Sequence, residues 1–134
     1  MTEAQAVESL LQRWIDIWPG LQPFVPYVFD NEVLDAPETW ARVTVLHTVR
    51  NQATTGGVGS RRFDSKGNVF VQLFCGIDVG RKPLADLAES VRSVYEGIRL
   101  TDLTLHASST RESPSDARWA MSMIVTPFWY ISVR

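Results

Sequence analysis

The chain has few of the residues that enzymes use as nucleophiles, general bases or metal ligands. Its 134 residues include one cysteine and two histidines. Cys75 has no partner for an internal disulfide, so an oxidising compartment is not implied. It ends an apolar segment, which indicates a buried small hydrophobe, and no local signature links it to His47 or His106. Two isolated histidines also make a poor metal site. We therefore expect no enzyme site, no metal and no cofactor.

The chain also lacks a large excess of either charge sign, and it has no long apolar run. Thirteen Lys and Arg against 15 Asp and Glu give a net charge of −2, which argues against a strongly basic nucleic-acid binder. The carboxylates are scattered, without the spacing of a general acid and base. No apolar run approaches the ~20 residues of a membrane span, and the first residues have no basic region typical of a signal peptide. We expect a protein that has no membrane partner and that is made and kept in a cytoplasm-like environment.

Apolar and aromatic residues, by contrast, are plentiful. Hydrophobic residues make up 45% of the chain, with five Trp, six Phe and three Tyr. This amount is sufficient for one core, and the length predicts a single domain over residues 1–134. The large aromatics exceed what a minimal core needs, so we expect some of them at subunit contacts, where aromatics are enriched.

Two amphipathic helices are predicted. The first begins after Thr2, a suitable N-cap, and is expected to end at Pro19 because proline cannot continue a helix. The second spans residues 83–96, with Pro83 at its first position and Gly97 just beyond its end. The apolar stripe of the first helix recurs every four residues at Ala6, Leu10, Trp14 and Trp18.

Strand patterns follow the first helix. A short strand is predicted near residues 27–29, and longer ones over residues 39–49, 69–75, 102–110 and 119–133. The segments 39–49 and 69–75 are apolar on both faces, which suggests central or doubly covered strands. Turn signals occur at Asp30-Asn31 and over residues 112–118, and Pro127 indicates a bulge, a bend or an edge. The order predicts an α+β fold: a mainly antiparallel, four- to five-stranded sheet with two helices packed on one face.

The connection over residues 50–68 is the most unusual segment. It is polar and glycine-rich, and it is too long for a tight hairpin, so either the two strands extend into a β-arm or the segment is a mobile loop. Gly67-Asn68 resembles a turn. The run over residues 54–60 lacks the Gly-Lys-Ser/Thr ending of a phosphate loop, and no helix follows it. Arginine suits pairing with carboxylate or phosphate, and the alternative is a solvated loop. The basic residues are Arg50, Arg61, Arg62 and Lys66.

The same segments resemble the tail-terminator family of long-tailed bacteriophages. The similarity lies in a W-x-R-V-x-V strand, a glycine-rich loop, an Arg-Arg-aromatic element, a G-x-V-x-V-Q-x-F strand, a helix and a Pro-Phe-type last strand. It covers nearly the whole chain, and residues 19–38 match least well. The matching elements are Trp40 to Val45, Gly56 to Gly59, Arg61 to Phe63, Gly67 to Phe74, Ala85 to Gly97 and Thr126 to Tyr130.

The resemblance implies a role in a virus particle. Such proteins form homohexameric rings that cap the tail tube, stop its polymerisation and offer a surface to the head connector, and DNA later passes through the hole. The long connection, with Phe63 and its basic residues, would face the lumen, a neighbouring subunit or the tube end. A closed ring requires one patch to bind a different patch on the next copy.

Other interpretations remain open at this point. The first alternative is a related head–tail connector or tail-tube component. A small nucleic-acid-binding module would use the segment from Arg50 to Lys66. A thiol enzyme would use Cys75. Ring formation, salt-sensitive DNA binding and a cysteine-dependent activity would distinguish these classes.

Overall fold

The computed structural model describes residues 1–30, 32, 39–76, 82–113 and 119–134. Asn31 of the predicted turn and residues 114–118 of the second turn lie outside them. The described elements are α1 (Glu3–Leu21), β1 (Tyr27–Phe29), β2 (Thr39–Gln52), β3 (Arg62–Gly76), α2 (Lys82–Tyr95), β4 (Arg99–Leu100), β5 (Leu103–Leu105), β6 (Ser109–Ser113) and β7 (Trp119–Val133).

The described strands form one mixed sheet that is largely antiparallel. Its order is β1-β2-β3-β7-β5-β4, and β6 also pairs with β7. Only the β1–β2 pairing is parallel among the described strand pairs. The α+β class is therefore as expected, but the sheet has seven strands in the described residues rather than four or five. Short strands such as β4, with two residues, carry too little periodicity to be seen in a sequence.

Both helices pack on the same face of the sheet, which we call the helix face. α1 packs on β2 and on α2, while α2 packs on β3 and β7. Antiparallel partners such as Val43, Val71 and Ile124 point to this face and are buried. We call the opposite side the open face, because no described helix packs on it. β2 and β3 are central strands of the sheet, which agrees with the first of the two interpretations of their apolar pattern.

Helix α1 begins as predicted and ends later than predicted. The Thr2 side chain accepts a hydrogen bond from the Gln5 backbone N–H at 3.2 Å, and the Gln5 side chain accepts one from the Thr2 N–H at 2.9 Å. The predicted stop at Pro19 was wrong, because the helix continues to Leu21. A proline in the last turn removes one intrahelical hydrogen bond, and the Gln22 N–H still closes the turn on the Trp18 carbonyl at 2.8 Å.

Helix α2 starts at Lys82, so Pro83 is its second residue rather than its first. Its end agrees with the prediction, since Gly97 follows with a φ of +67°. Two hydrogen bonds join the helices: the Tyr95 hydroxyl donates to the Leu10 carbonyl at 2.7 Å, and Arg13 Nε donates to the Val94 carbonyl at 2.7 Å. These bonds fix the spacing of the helix layer above the core.

The predicted strand over residues 102–110 is two strands instead of one. β5 pairs with β7 over residues 128–130, and β6 pairs with β7 over residues 121–125. Pro127 lies in the gap between them, where it accepts a hydrogen bond from the His106 N–H at 2.9 Å but has no N–H to donate. Because this N–H is missing, the strand that pairs with β7 is interrupted between β5 and β6. β7 itself remains a central strand of the sheet. The predicted turn over 112–118 is also partly wrong, because Glu112 and Ser113 belong to β6.

The long connection is mostly paired strand, so the β-arm alternative is the one found. β2 continues to Gln52 and β3 begins at Arg62, which leaves residues 53–61 as the loop. The predicted turn at Gly67-Asn68 was wrong, because both residues lie inside β3. Glycine is needed there for space: a Cβ at Gly67 would lie 2.3 Å from the Leu46 carbonyl oxygen and 2.6 Å from the Phe128 ring.

Candidate functional site

The most exposed described segment is residues 49–63, which we call the arm. Its base pairs within the sheet, with Arg62 opposite Val133 of β7, and only its tip, residues 53–61, extends beyond the strands. Every residue from position 46 to position 60 except His47 is exposed. Val49 is 46% exposed and Val58 is 91% exposed. The arm is held straight by the β2–β3 register through Gln52 and Phe63, and the Ala53 N–H donates to the Arg62 carbonyl at 2.8 Å. It extends past the start of α1, because Met1 lies beside Ser132 near the end of β7.

A β-bulge at Thr48 decides which way the arm residues point. His47 is opposite Gly67 and Val49 is opposite Lys66, so Thr48 is the extra residue. The bulge reverses the alternation, and Arg50 consequently lies opposite Ser65 on the helix face. Without the extra residue, Arg50 would point to the open face.

Three of the five predicted site residues meet on the helix face of the arm. The Arg50 guanidinium lies 5.0 Å from the Phe63 ring centroid, and that of Arg61 lies 5.8 Å from it. Arg50 also donates to the Ser65 hydroxyl at 3.0 Å, and Arg61 Nε donates to the Arg134 carbonyl at 3.1 Å. Stacking on an aromatic ring holds guanidinium groups in place while their outer N–H groups stay available to a partner.

The other two predicted residues, Arg62 and Lys66, are on the open face. Arg62 lies 6.0 Å from the Trp129 ring centroid and pairs with Asp64 at 3.0 Å. Lys66 is opposite Trp129 in the β3–β7 register and is exposed. The basic side chains between positions 50 and 66 therefore lie on the two opposite faces of the sheet rather than in one cluster.

A groove along the outer side of α1 was not predicted from the sequence. It has a volume of about 670 Å³ and lies between α1 and the β1–β2 edge of the sheet. Ile15 on its wall is 40% exposed. The sequence did contain a signal for this groove, because apolar residues of α1 recur at helical spacing on a second side of the helix. The lining consists of Glu3, Ala4, Val7, Glu8, Leu11, Gln12, Ile15, Phe29 and His47.

The open face carries large apolar side chains, of which Trp40 is buried and the others are half-buried. Trp40 and Phe74 are stacked with their ring centroids 4.2 Å apart, and Arg42 lies 5.2 Å from the Trp40 centroid. An apolar sheet face on which no described helix packs is typical of an interaction surface. The residues that compose it are Trp40, Phe70, Phe74, Met121, Met123, Trp129 and Ile131.

The residues considered for catalysis are Cys75, His47 and His106. Cys75 is fully buried, and Thr39 Oγ1 lies 3.8 Å from its sulfur. His47 contacts Tyr130, and His106 is exposed. Within the described residues no group of three or more His, Cys, Asp or Glu is placed to hold a metal ion. No helix in the described part of the chain is long and apolar enough to cross a membrane.

Comparisons with known proteins show a shared fold. No family model matches the chain, and no curated protein matches it. A solved structure named only by a sequence identifier superimposes with a TM-score of 0.69, over 100% of this chain and 98% of that one. The two sequences are 14% identical. This similarity establishes the architecture described above and carries no information on activity.

Proposed function

We propose that the protein is a structural subunit of a long-tailed phage that resembles a tail terminator. Copies of it, six by this resemblance, form a ring at the head-proximal end of the tail. The ring stops polymerisation of the tail tube protein and presents a surface to the head connector. The protein acts in the host cytoplasm during assembly and then in the virion, without catalysis or a cofactor.

The single observation that carries the proposal is the arm, whose tip extends past the start of α1 and whose arginines lie on both faces, with Arg50 and Arg61 on the helix face and Arg62 on the open face. Residues 53–60 at the tip of the arm are all exposed, so the tip adds little to the stability of a monomer. A ring subunit uses such a projection to contact a neighbour. The half-buried aromatics of the open face are a second surface that assembly would cover.

Passage of DNA fits the charge distribution. The chain is acidic overall, yet the arm, residues 49–63, contains three arginines and no carboxylate. A ring repeats around its axis the charges that no subunit contact uses, such as Arg62 on the open face, so a modest number per subunit yields a positive girdle. Such a girdle attracts the DNA backbone without base recognition.

A second candidate is a nucleic-acid-binding module, and one observation favours it. Arg62 and Lys66 flank the Trp129 ring on the open face, which combines positive charge with an aromatic platform. This candidate predicts tight, salt-sensitive DNA binding by the isolated subunit. A ring subunit instead binds DNA weakly until the charges of several copies are brought together.

The deciding experiment is light scattering on the purified protein, combined with negative-stain imaging. We expect closed rings, or rings that form when tail-tube ends are added. Strong binding of short duplex DNA by a monomer, lost at high salt, would favour the second candidate. A protein that stays monomeric at all concentrations, with and without tube ends, contradicts the ring.

A further inference from the structure

We infer that the arm of one copy docks into the α1 groove of the next copy. This inference rests on the proposed function and names the two surfaces that meet in the ring. The occupant of the groove is thus a second copy of this chain, through its residues 49–63.

Charge is the first argument for this pairing. The arm has three arginines and no acidic residue, whereas the described residues that line the groove include Glu3 and Glu8 and no lysine or arginine. Arg61 is held over the Phe63 ring, with its guanidinium 5.8 Å from the centroid. Complementary potentials of this kind select one partner and fix its register.

Apolar surface is the second argument. Val58 at the tip of the arm is 91% exposed. Ile15 is 40% exposed in a groove whose wall also includes Val7 and Leu11. Docking would remove these side chains from water and leave the glutamates at the rim, which is the ordinary arrangement of a protein interface.

Geometry excludes the chain's own arm as the occupant. The arm continues β2 beyond His47, and His47 itself lines the groove. From there the β2–β3 pairing runs in register to Gln52 and Phe63 and leads the arm past the start of α1. Returning to the groove would require breaking this pairing. Contact between two different patches on identical copies is heterologous, and it closes into a ring when the rotation permits.

Charge reversal tests the pairing directly. We expect Glu8→Lys and Arg61→Glu, each alone, to weaken self-association about tenfold or more, because each places like charges opposite one another. Combining both changes in one chain, or mixing the two variants, restores opposite charges and should restore rings. Matched controls are Asp86→Lys on the exposed side of α2 and Arg99→Glu in β4, and both should assemble as the unmodified protein does.

The outcomes separate this inference from the function on which it rests. If the unmodified protein and both single variants form rings equally well, the pairing is overturned and the ring stands. If the unmodified protein itself never assembles, the proposed function is overturned. Loss of assembly in each single variant without recovery in the double variant or the mixture also counts against the pairing, since it indicates separate partners.

Cross-linking gives a second, independent readout. The single native cysteine, Cys75, is fully buried, so added cysteines react selectively. Mixing Gln12→Cys with Val58→Cys subunits should yield a disulfide-linked dimer under mild oxidation. Mixing Gln12→Cys with Thr101→Cys, a position away from the arm, is the control and should yield none. Equal yields in both mixtures would overturn the pairing.

Discussion

His47 reaches across strand β3 to Tyr130: its Nε2 lies 2.8 Å from the tyrosine hydroxyl, although the two residues belong to β2 and β7. The strand between them carries Gly67 at the crossing point, opposite both His47 and Phe128. The missing side chain leaves room for the imidazole, which also contacts the Phe128 ring edge-on at a centroid distance of 5.4 Å. This contact lies at the base of the arm and fixes the point from which the arm projects.

Replacing the hydroxyl tests the contribution of this contact. Tyr130→Phe keeps the buried ring and removes the partner of His47, so we expect a loss of about 1 kcal/mol in the free energy of unfolding. Urea denaturation measures it. Tyr27→Phe is the matched control, because its hydroxyl is not part of the contact. Equal effects of the two substitutions would show that the hydrogen bond adds nothing specific.

The space at Gly67 gives a second prediction. Gly67→Ala should destabilise the fold by about 3 kcal/mol, the upper part of the range for overpacking, because the new Cβ meets backbone as well as an aromatic ring. Gly57→Ala is the control, since nothing lies within 4 Å of a Cβ there. Thermal unfolding of both variants measures the difference. A Gly67→Ala protein as stable as the control would contradict the proposed close approach.

Alkaline pH gives a third prediction. Burial raises the pKa of Tyr95 above its ordinary value of 10.0, with Arg13 opposing the shift, and burial also raises that of Tyr130. A group with a raised folded-state pKa stabilises the fold below its unfolded value and loses that contribution as the pH rises further. Stability should therefore fall above about pH 10.

Tyr95→Phe isolates this effect. It costs about 1 kcal/mol at neutral pH through the lost bond to the Leu10 carbonyl, yet its stability should decline less steeply above pH 10. Guanidinium denaturation at a series of pH values gives both slopes. Parallel pH profiles for the variant and the unmodified protein would contradict the assignment.

The two adjacent arginines of the arm give a fourth prediction. Arg61→Glu combined with Arg62→Glu should leave the fold intact, because both side chains are partly exposed and the Arg62–Asp64 ion pair is at the surface. Assembly should be impaired, as measured by light scattering and by infectivity of particles that carry the variant. Circular dichroism checks the fold. Unaltered assembly would contradict a role of the arm in ring formation.

Much of the fold was predictable because strong periodic patterns coincide with buried faces. The stripe through Leu10 and Trp14, the glycine after α2 and the 15-residue strand β7 all follow this rule. Gly67 was misassigned as a turn because a glycine required for space and one required for backbone conformation are identical in sequence. The division of β5 from β6 depends on Pro127, which acts on a neighbouring strand that is distant along the chain.

The sequence named residues of the arm as candidates but did not predict how they are arranged. Arg50, Arg61, Arg62 and Lys66 were singled out as a basic cluster in the sequence, and Phe63 was added by the resemblance to the phage family. Their division between two faces depends on the bulge at Thr48, and a one-residue register shift leaves no trace in composition. The groove on α1 depends on which side of the helix meets the sheet, and that choice is made by tertiary packing.

The pairing of β3 with β7 has a mechanical consequence. The two strands are partners at every position from Arg62 opposite Val133 to Gly76 opposite Trp119, without a register shift. A load applied along this pair is carried in shear, so many backbone hydrogen bonds share the force at once. The base of the arm should therefore resist deformation under a force along the strands. Deformation should begin in the tip over residues 53–61, which no neighbouring strand supports.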